Sequence, residues 1–237
     1  MKHYGIFRFL LIPAALALCV SCTDFFTTSL GEWAARDPDK LIPSVNAGNV
    51  NDILSQVDND PNASLAVLKK IKNAMANASP EDAIVLQNAA LEAAVNSVGL
   101  VQAVLGVVTS LDEINVGSAP QKIADAVNGM KNLGSVGDEL FAILPDVDDD
   151  PDSDFQKFIT QASPDDLAFA AVVLLAGEAK QKSGGNLEEY MSTFDPGNTG
   201  SNSDIENLAV ELVKGIDPTT LTGPLGDIMR GLNLIVD

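Results

Sequence analysis

Apolar residues recur along this chain at the spacing of one helical face. Leu65, Leu68, Ile71 and Met75 fall three or four apart, and Ile84, Leu91, Val95 and Val98 continue the pattern beyond a polar break. Residues so spaced share one side of a helical turn, so each run predicts a helix with one face in a core. No stretch alternates apolar and polar positions between hairpin turns, and no strand is expected.

Helix-start signals stand ahead of these runs. In Ser79-Pro80-Glu81-Asp82 the serine hydroxyl can accept from a free first-turn N–H, and proline at the first helical position lacks an N–H that would have been unpaired anyway. The two acids face the positive end of the helix dipole. Ser163-Pro164-Asp165-Asp166 has the same form, and Asp60-Pro61 and Asp150-Pro151 are expected to cap in the same way with aspartate. The chain therefore reads as all-α. About ten helices are expected, near residues 49–57, 61–77, 80–97, 99–113, 119–132, 135–144, 151–161, 164–182, 186–194 and 204–215, with a last one from 224.

Two stretches repeat each other. Ile53-Leu54-x-x-Val57-Asp58-x-Asp60-Pro61 returns 90 residues later as Ile143-Leu144-x-x-Val147-Asp148-x-Asp150-Pro151. Gly48-Asn49-Val50-Asn51-Asp52 matches Gly134-Ser135-Val136-Gly137-Asp138, and Ala78-Ser79-Pro80-Glu81-Asp82 matches Ala162-Ser163-Pro164-Asp165-Asp166. A third start is weaker, with Gly226, Asp227, Val236 and Asp237 matching Gly137, Asp138, Val147 and Asp148. Order and rough spacing both recur. The expectation is a two-unit helical repeat, an α-solenoid or stack of helical hairpins, over residues 48–237. Its units are residues 48–133 and 134–222, and 223–237 is a C-terminal cap helix. The paired short helices and Asp60-Pro61-Asn62-Ala63 are similar to tetratricopeptide repeats in architecture only, because that family's period and its Trp, Gly and Tyr positions are absent.

The N-terminus reads differently. A basic start with Lys2 and Arg8 leads into Phe9–Val20, an apolar run of signal-peptide length that is too short to span a bilayer, which needs about 20 such residues. Cys19-Val20-Ser21-Cys22 sits inside this export signal rather than in a folded redox domain. Small Ser21 before Cys22 admits a peptidase, and the Cys22 thiol can receive a diacylglyceryl group. Cys19 follows the bulky Leu18 and suits neither step.

This stretch resembles the lipobox of bacterial lipoproteins, in a relaxed form with Cys19 where leucine is usual. It looks like those of spirochaete lipoproteins, and Phe25–Pro43 is similar to the opening of some treponemal ones. The resemblance covers the first 43 residues and implies a signal peptide over 1–21, lipid on Cys22 and an acylated tether over 22–47. An ordinary secreted protein and an uncleaved, membrane-retained signal are the alternatives. On the tether Phe26, Leu30 and Trp33 fall on one helical face and are expected to dock on the first helix rather than rest at the lipid interface. Thr23 and Asp24 leave inner and outer membrane both open, facing the periplasm or the cell surface.

Composition narrows the chemistry. Formal charge is −19, and removing a segment that holds Lys2, Arg8 and no acid makes the mature chain more negative still. Such a polyanion has no electrostatic reason to bind nucleic acid or anionic lipid. His3 is the single histidine and leaves with the signal, while Cys22 is consumed by the anchor. No Cys–His pair, Ser–His–Asp triad, thiolate or imidazole zinc site, or internal disulfide remains to be built. No catalytic residue, cofactor or metal is expected.

The densest local signal is Asp146–Asp154. Its alternate aspartates imitate an EF-hand loop, but Pro151 stands where glycine turns that loop and Lys157 where its closing glutamate belongs. Capping and a solvated acidic turn are the first reading, and a weak surface calcium site is the second. Leu167–Gly177 and Val98–Val108 are apolar nearly all round and read as buried central helices, or as walls of an apolar cavity. Gly184-Gly185 reads as a helix end. The functional expectation is a non-catalytic, lipid-anchored helical protein that binds another protein. A carrier holding a hydrophobic small molecule between helices is the alternative, and an enzyme using paired carboxylates stands last.

Overall fold

The computed structural model describes residues 38–58, 60–99, 129–130, 132–183, 187–217, 219–221 and 229. The chain divides into two compact units, Met1–Leu41 and Ile42–Asp237. In the first, the described residues form one helical turn, Pro38–Leu41. In the second they form α1 (Val50–Val57), α2 (Pro61–Met75), α3 (Pro80–Val98), α4 (Leu133–Phe141), α5 (Asp154–Gln161), α6 (Pro164–Lys182), α7 (Leu187–Thr193) and α8 (Asp204–Lys214). Among the described residues there is no strand, and the protein is all-α. The helices expected over 99–113, over 119–132 and from 224 lie mostly outside these residues, and the tether positions Phe26, Leu30 and Trp33 lie wholly outside them.

The predicted caps set the boundaries of the two long helices. Ser79 Oγ accepts from the Asp82 N–H at 3.2 Å and donates to Asp82 Oδ2 at 2.9 Å. Ser163 does the same with Asp166, at 3.1 Å and 2.7 Å. Each thereby satisfies one of the N–H groups that a helix start leaves open. Asp60 caps α2, its Oδ1 accepting from the Asn62 and Ala63 N–H groups. Gly99 closes α3 at φ 69°, in the left-handed region that glycine adopts without steric cost.

Asp150 departs from the expected pattern. Its Oδ1 accepts from the Asp152 N–H, and Asp148 Oδ1 accepts from the Asp150 N–H, so this chain makes two short aspartate turns instead of starting a helix. The helix begins three residues later than Pro151, where Ser153 Oγ accepts from the Gln156 N–H at 3.2 Å. The first copy has no serine placed to compete in this way, because Ala63 stands in the position of Ser153.

Helices α3 and α6 form the centre. Helix α2 lies along α3, α4 and α8 lie along α6, and α3 and α6 touch each other. Helix α6 is buried nearly all round, with Ala168, Ala170, Ala171, Val173 and Leu174 wholly enclosed. Each enclosed Val or Leu stabilises the fold by about 1.5–3 kcal/mol relative to leaving it in water. This bears out the expectation of a buried central helix over Leu167–Gly177. Among the described residues no single helix is long and apolar enough to cross a membrane.

Close approach between α4 and α6 depends on two glycines. A Cβ on Gly177 would stand 3.2 Å from the Leu133 carbonyl oxygen and 3.6 Å from the Gly137 Cα. Polar ties frame this crossing: Gln181 Nε2 donates to Asp138 Oδ1 at 3.0 Å, and Lys72 on α2 pairs with Glu139 at 2.8 Å. The pairing of α2 with α3 has no equally extensive counterpart between α5 and α6, because α5 packs on α3.

Candidate functional site

Pro145 follows the end of α4, and residues 145–150 have no helical structure. Buried Ile143 and Leu144 anchor its start. The Ile143 carbonyl accepts from Gln87 Nε2 on α3 at 3.4 Å. Its far end is tied at Asp148, whose carbonyl accepts from Ser153 Oγ at 3.2 Å and Gln156 Nε2 at 3.3 Å. Between these anchors Leu144, Pro145, Asp146 and Val147 form a ridge that lines two open grooves.

The larger groove, of about 800 Å³, lies between the ridge and α3. Ile84, Val147 and Phe155 supply apolar lining, and Asp146, Asp148, Asp152 and Asp154 supply carboxylates, with no lysine or arginine among the lining residues. Gln87 lines it too, at 5% exposure, and its Oε1 has no hydrogen-bond partner among the described residues. The smaller groove, of about 410 Å³, lies between the ridge and α8, with Asp204, Asn207 and Glu211 on its far side. Val147 is 42% exposed, an unusual setting for a large aliphatic side chain in this molecule.

The acidic turn is built around the backbone. Asp148 and Asp150 accept from main-chain N–H groups, and Asp154 makes an exposed pair with Lys157 at 3.6 Å. Among the described residues no three His, Cys, Asp or Glu side chains come together as they would to hold a metal ion.

A second polar centre joins α6, α7 and α8. Glu206, buried, accepts from the Tyr190 hydroxyl at 2.6 Å, from Lys182 Nζ at 2.9 Å and from the Ser203 N–H at 2.6 Å. Ser203 Oγ accepts in return from the Glu206 N–H, completing a reciprocal helix cap. Lys182 also pairs with buried Glu178 at 3.0 Å, one turn earlier on α6. Tyr190 stacks on Phe194, ring centroids 5.8 Å apart.

Burial pushes the Glu206 carboxyl up, but the hydrogen bonds from Tyr190 and Ser203, with Lys182, outweigh it and hold the group below its ordinary value. Burial and the hydrogen bond to Glu206 push the Tyr190 hydroxyl far above its usual range. Burial would lower Lys182, and its bonds to Glu206 and Glu178 raise it instead. Both carboxylate oxygens of Glu206 are occupied, and none of Glu178, Lys182, Tyr190, Ser203 and Glu206 lines either groove. The cluster is a clamp that fixes three helices. A third acid, Glu92, is pushed up by partial desolvation and by Asp166 and Asp58 nearby.

Of the positions singled out from the sequence, Cys22 and Gly184-Gly185 lie outside the described residues, as does most of Val98–Val108. The acidic turn is described and borders the larger groove. Sequence reasoning missed Gln87 and the clamp. The clamp had two legible signals: Ser203-x-x-Glu206 is a capping box, and Glu178 and Lys182 stand four apart at the end of an apolar helix. Gln87 had none beyond being an amide in an otherwise alanine-rich helix. No family model, curated protein or solved structure matches the chain.

Proposed function

We propose that this is a non-catalytic protein of the cell envelope, held to a membrane by lipid on Cys22, which presents its helical domain to a partner protein. Inner or outer membrane, with the domain facing the periplasm or the surface, fits this arrangement. The observation that carries the reading is the ridge at 144–147, flanked on both sides, among the described residues, by open grooves. Open, partly apolar relief suits a macromolecular segment, whereas a carried hydrophobic molecule calls for a site that encloses most of its surface. The satisfied carboxylates of the clamp favour a fixed scaffold over proton-transfer chemistry. We also read the matching caps as the trace of a duplicated helical unit, with α1–α3 and α4–α6 as its copies within a repeat array.

A photo-cross-linking amino acid placed at Val147 in cells, with exposed Lys180 as the control position, tests the reading. A discrete protein adduct from position 147 and none from 180 is expected, on a chain whose mature N-terminus is acylated Cys22. Equal or absent adducts at both positions would overturn partner binding, and a hydrophobic molecule co-purifying with the protein would move the reading to a carrier. An unacylated N-terminus, or one at another residue, would overturn the anchoring.

A further inference from the structure

We infer that the larger groove takes a basic peptide segment of a partner protein, one that carries an apolar side chain between cationic ones. This rests on the partner-binding reading and specifies the chemistry of the partner. Two features of the groove point the same way. Its lining holds four aspartates and no lysine or arginine, and of the four Asp154 pairs with Lys157 at 3.6 Å. The carboxylates of Asp146 and Asp152 make no hydrogen bond or ion pair among the described residues, so they are open to an incoming cation. Charge placed this way steers and orients a cationic partner, in a chain whose overall charge of −19 adds to the attraction.

The second feature is apolar. Ile84 and Val147 give the groove a surface that an aliphatic side chain can cover, and Val147 is the more exposed of the two. A peptide supplies the complement of both at once: ammonium or guanidinium groups and an aliphatic side chain. Nucleic acid and anionic lipid carry the wrong charge.

The test uses the full chain in a non-ionic detergent and short fluorescein-labelled peptides with Lys-Leu-Lys, Lys-Gly-Lys or Glu-Leu-Glu at their centre, read by fluorescence anisotropy. The Lys-Leu-Lys peptide is expected to bind with an affinity that falls as salt rises. Lys-Gly-Lys should bind roughly tenfold more weakly, a contrast that needs only about 1.4 kcal/mol, and Glu-Leu-Glu should not bind. Replacing both open carboxylates, Asp146→Asn with Asp152→Asn, should weaken binding by roughly tenfold or more and flatten the salt dependence.

No binding of the Lys-Leu-Lys peptide, equal binding of Glu-Leu-Glu, or affinity unchanged in the double aspartate variant overturns the inference. The two proposals separate cleanly. Adducts at Val147 without peptide binding would leave partner binding standing and remove the basic-segment specificity. Loss of both would remove the site altogether.

Discussion

Helices α3 and α6 begin alike and end differently. Each spans 19 residues and opens on Ser-Pro-acid-Asp with the same reciprocal cap, and each is largely enclosed by neighbours. Placed on a common start, Ala93 of α3 falls on Gly177 of α6, Ala94 on Glu178 and Val98 on Lys182. Helix α3 thus closes its last turns with alanine and valine and a left-handed Gly99, while α6 closes with a glycine crossing and a buried charge clamp. What recurs is the punctuation, which acts within one helical turn. What differs is the surface that each helix offers to others, because α2 packs along α3 whereas α4 and α8 pack along α6.

The largest expected effect lies in the clamp, which α3 lacks. Glu206→Ala strands the Tyr190 hydroxyl and the Ser203 N–H and leaves Lys182 with Glu178 alone, and should cost about 3 kcal/mol, the lower end for a broken buried pair because Lys182 reaches solvent and keeps one partner. Urea denaturation measures it, and a cost below about 1 kcal/mol would mean that the clamp adds little beyond the apolar packing. The pH dependence has a fixed sign. Glu206 is held below its ordinary value of 4.5, so its stabilising contribution is present above pH 4.5 and is lost as pH falls through the lower folded-state value. Stability curves of the wild type and Glu206→Gln should therefore converge on acidification and separate toward neutral pH.

Next in size is the glycine crossing. Gly177→Ala drives a Cβ toward a backbone carbonyl that cannot swing aside, and should cost about 2 kcal/mol, within the usual range for overpacking. Gly137→Ala should cost less, since its Cβ would stand 3.7 Å from the nearest atom, at ordinary contact. Equal losses at the two positions would show that helix propensity, rather than the α4–α6 approach, sets the cost. At the matching place on α3, Ala93→Gly should lose about 1 kcal/mol through propensity and lost packing.

The smallest effects test what the helices share. Ser79→Ala and Ser163→Ala should each cost about 1 kcal/mol and add nearly independently in the double mutant. Ser153→Ala should cost a similar amount, because Ser153 is the cap of α5. Asp60→Ala should exceed Asp150→Ala, since only Asp60 caps a helix. Denaturant midpoints of the five variants decide the ranking, and a silent Ser163→Ala beside a costly Ser79→Ala would end the equivalence of the two caps.

The sequence by itself determined where most helices start and stop. Caps, prolines and apolar spacing act over three or four residues, so Pro61, Pro80, Pro164 and Asp204 were legible as starts without knowledge of any neighbour. It erred at Asp150 and Ser153, where two local options competed within four residues and their energies were too close for pattern alone to rank. Only the tertiary structure decided which helix faces meet. Gln87 finds Ile143 across 56 residues, Gly137 meets Gly177, and Tyr190, Lys182 and Glu206 converge from three helices. The open grooves beside the 144–147 ridge arise in the same way, from α3 and α8 standing on its two sides. Such contacts depend on crossing geometry summed over many small packing gains, and no short stretch of sequence carries that sum.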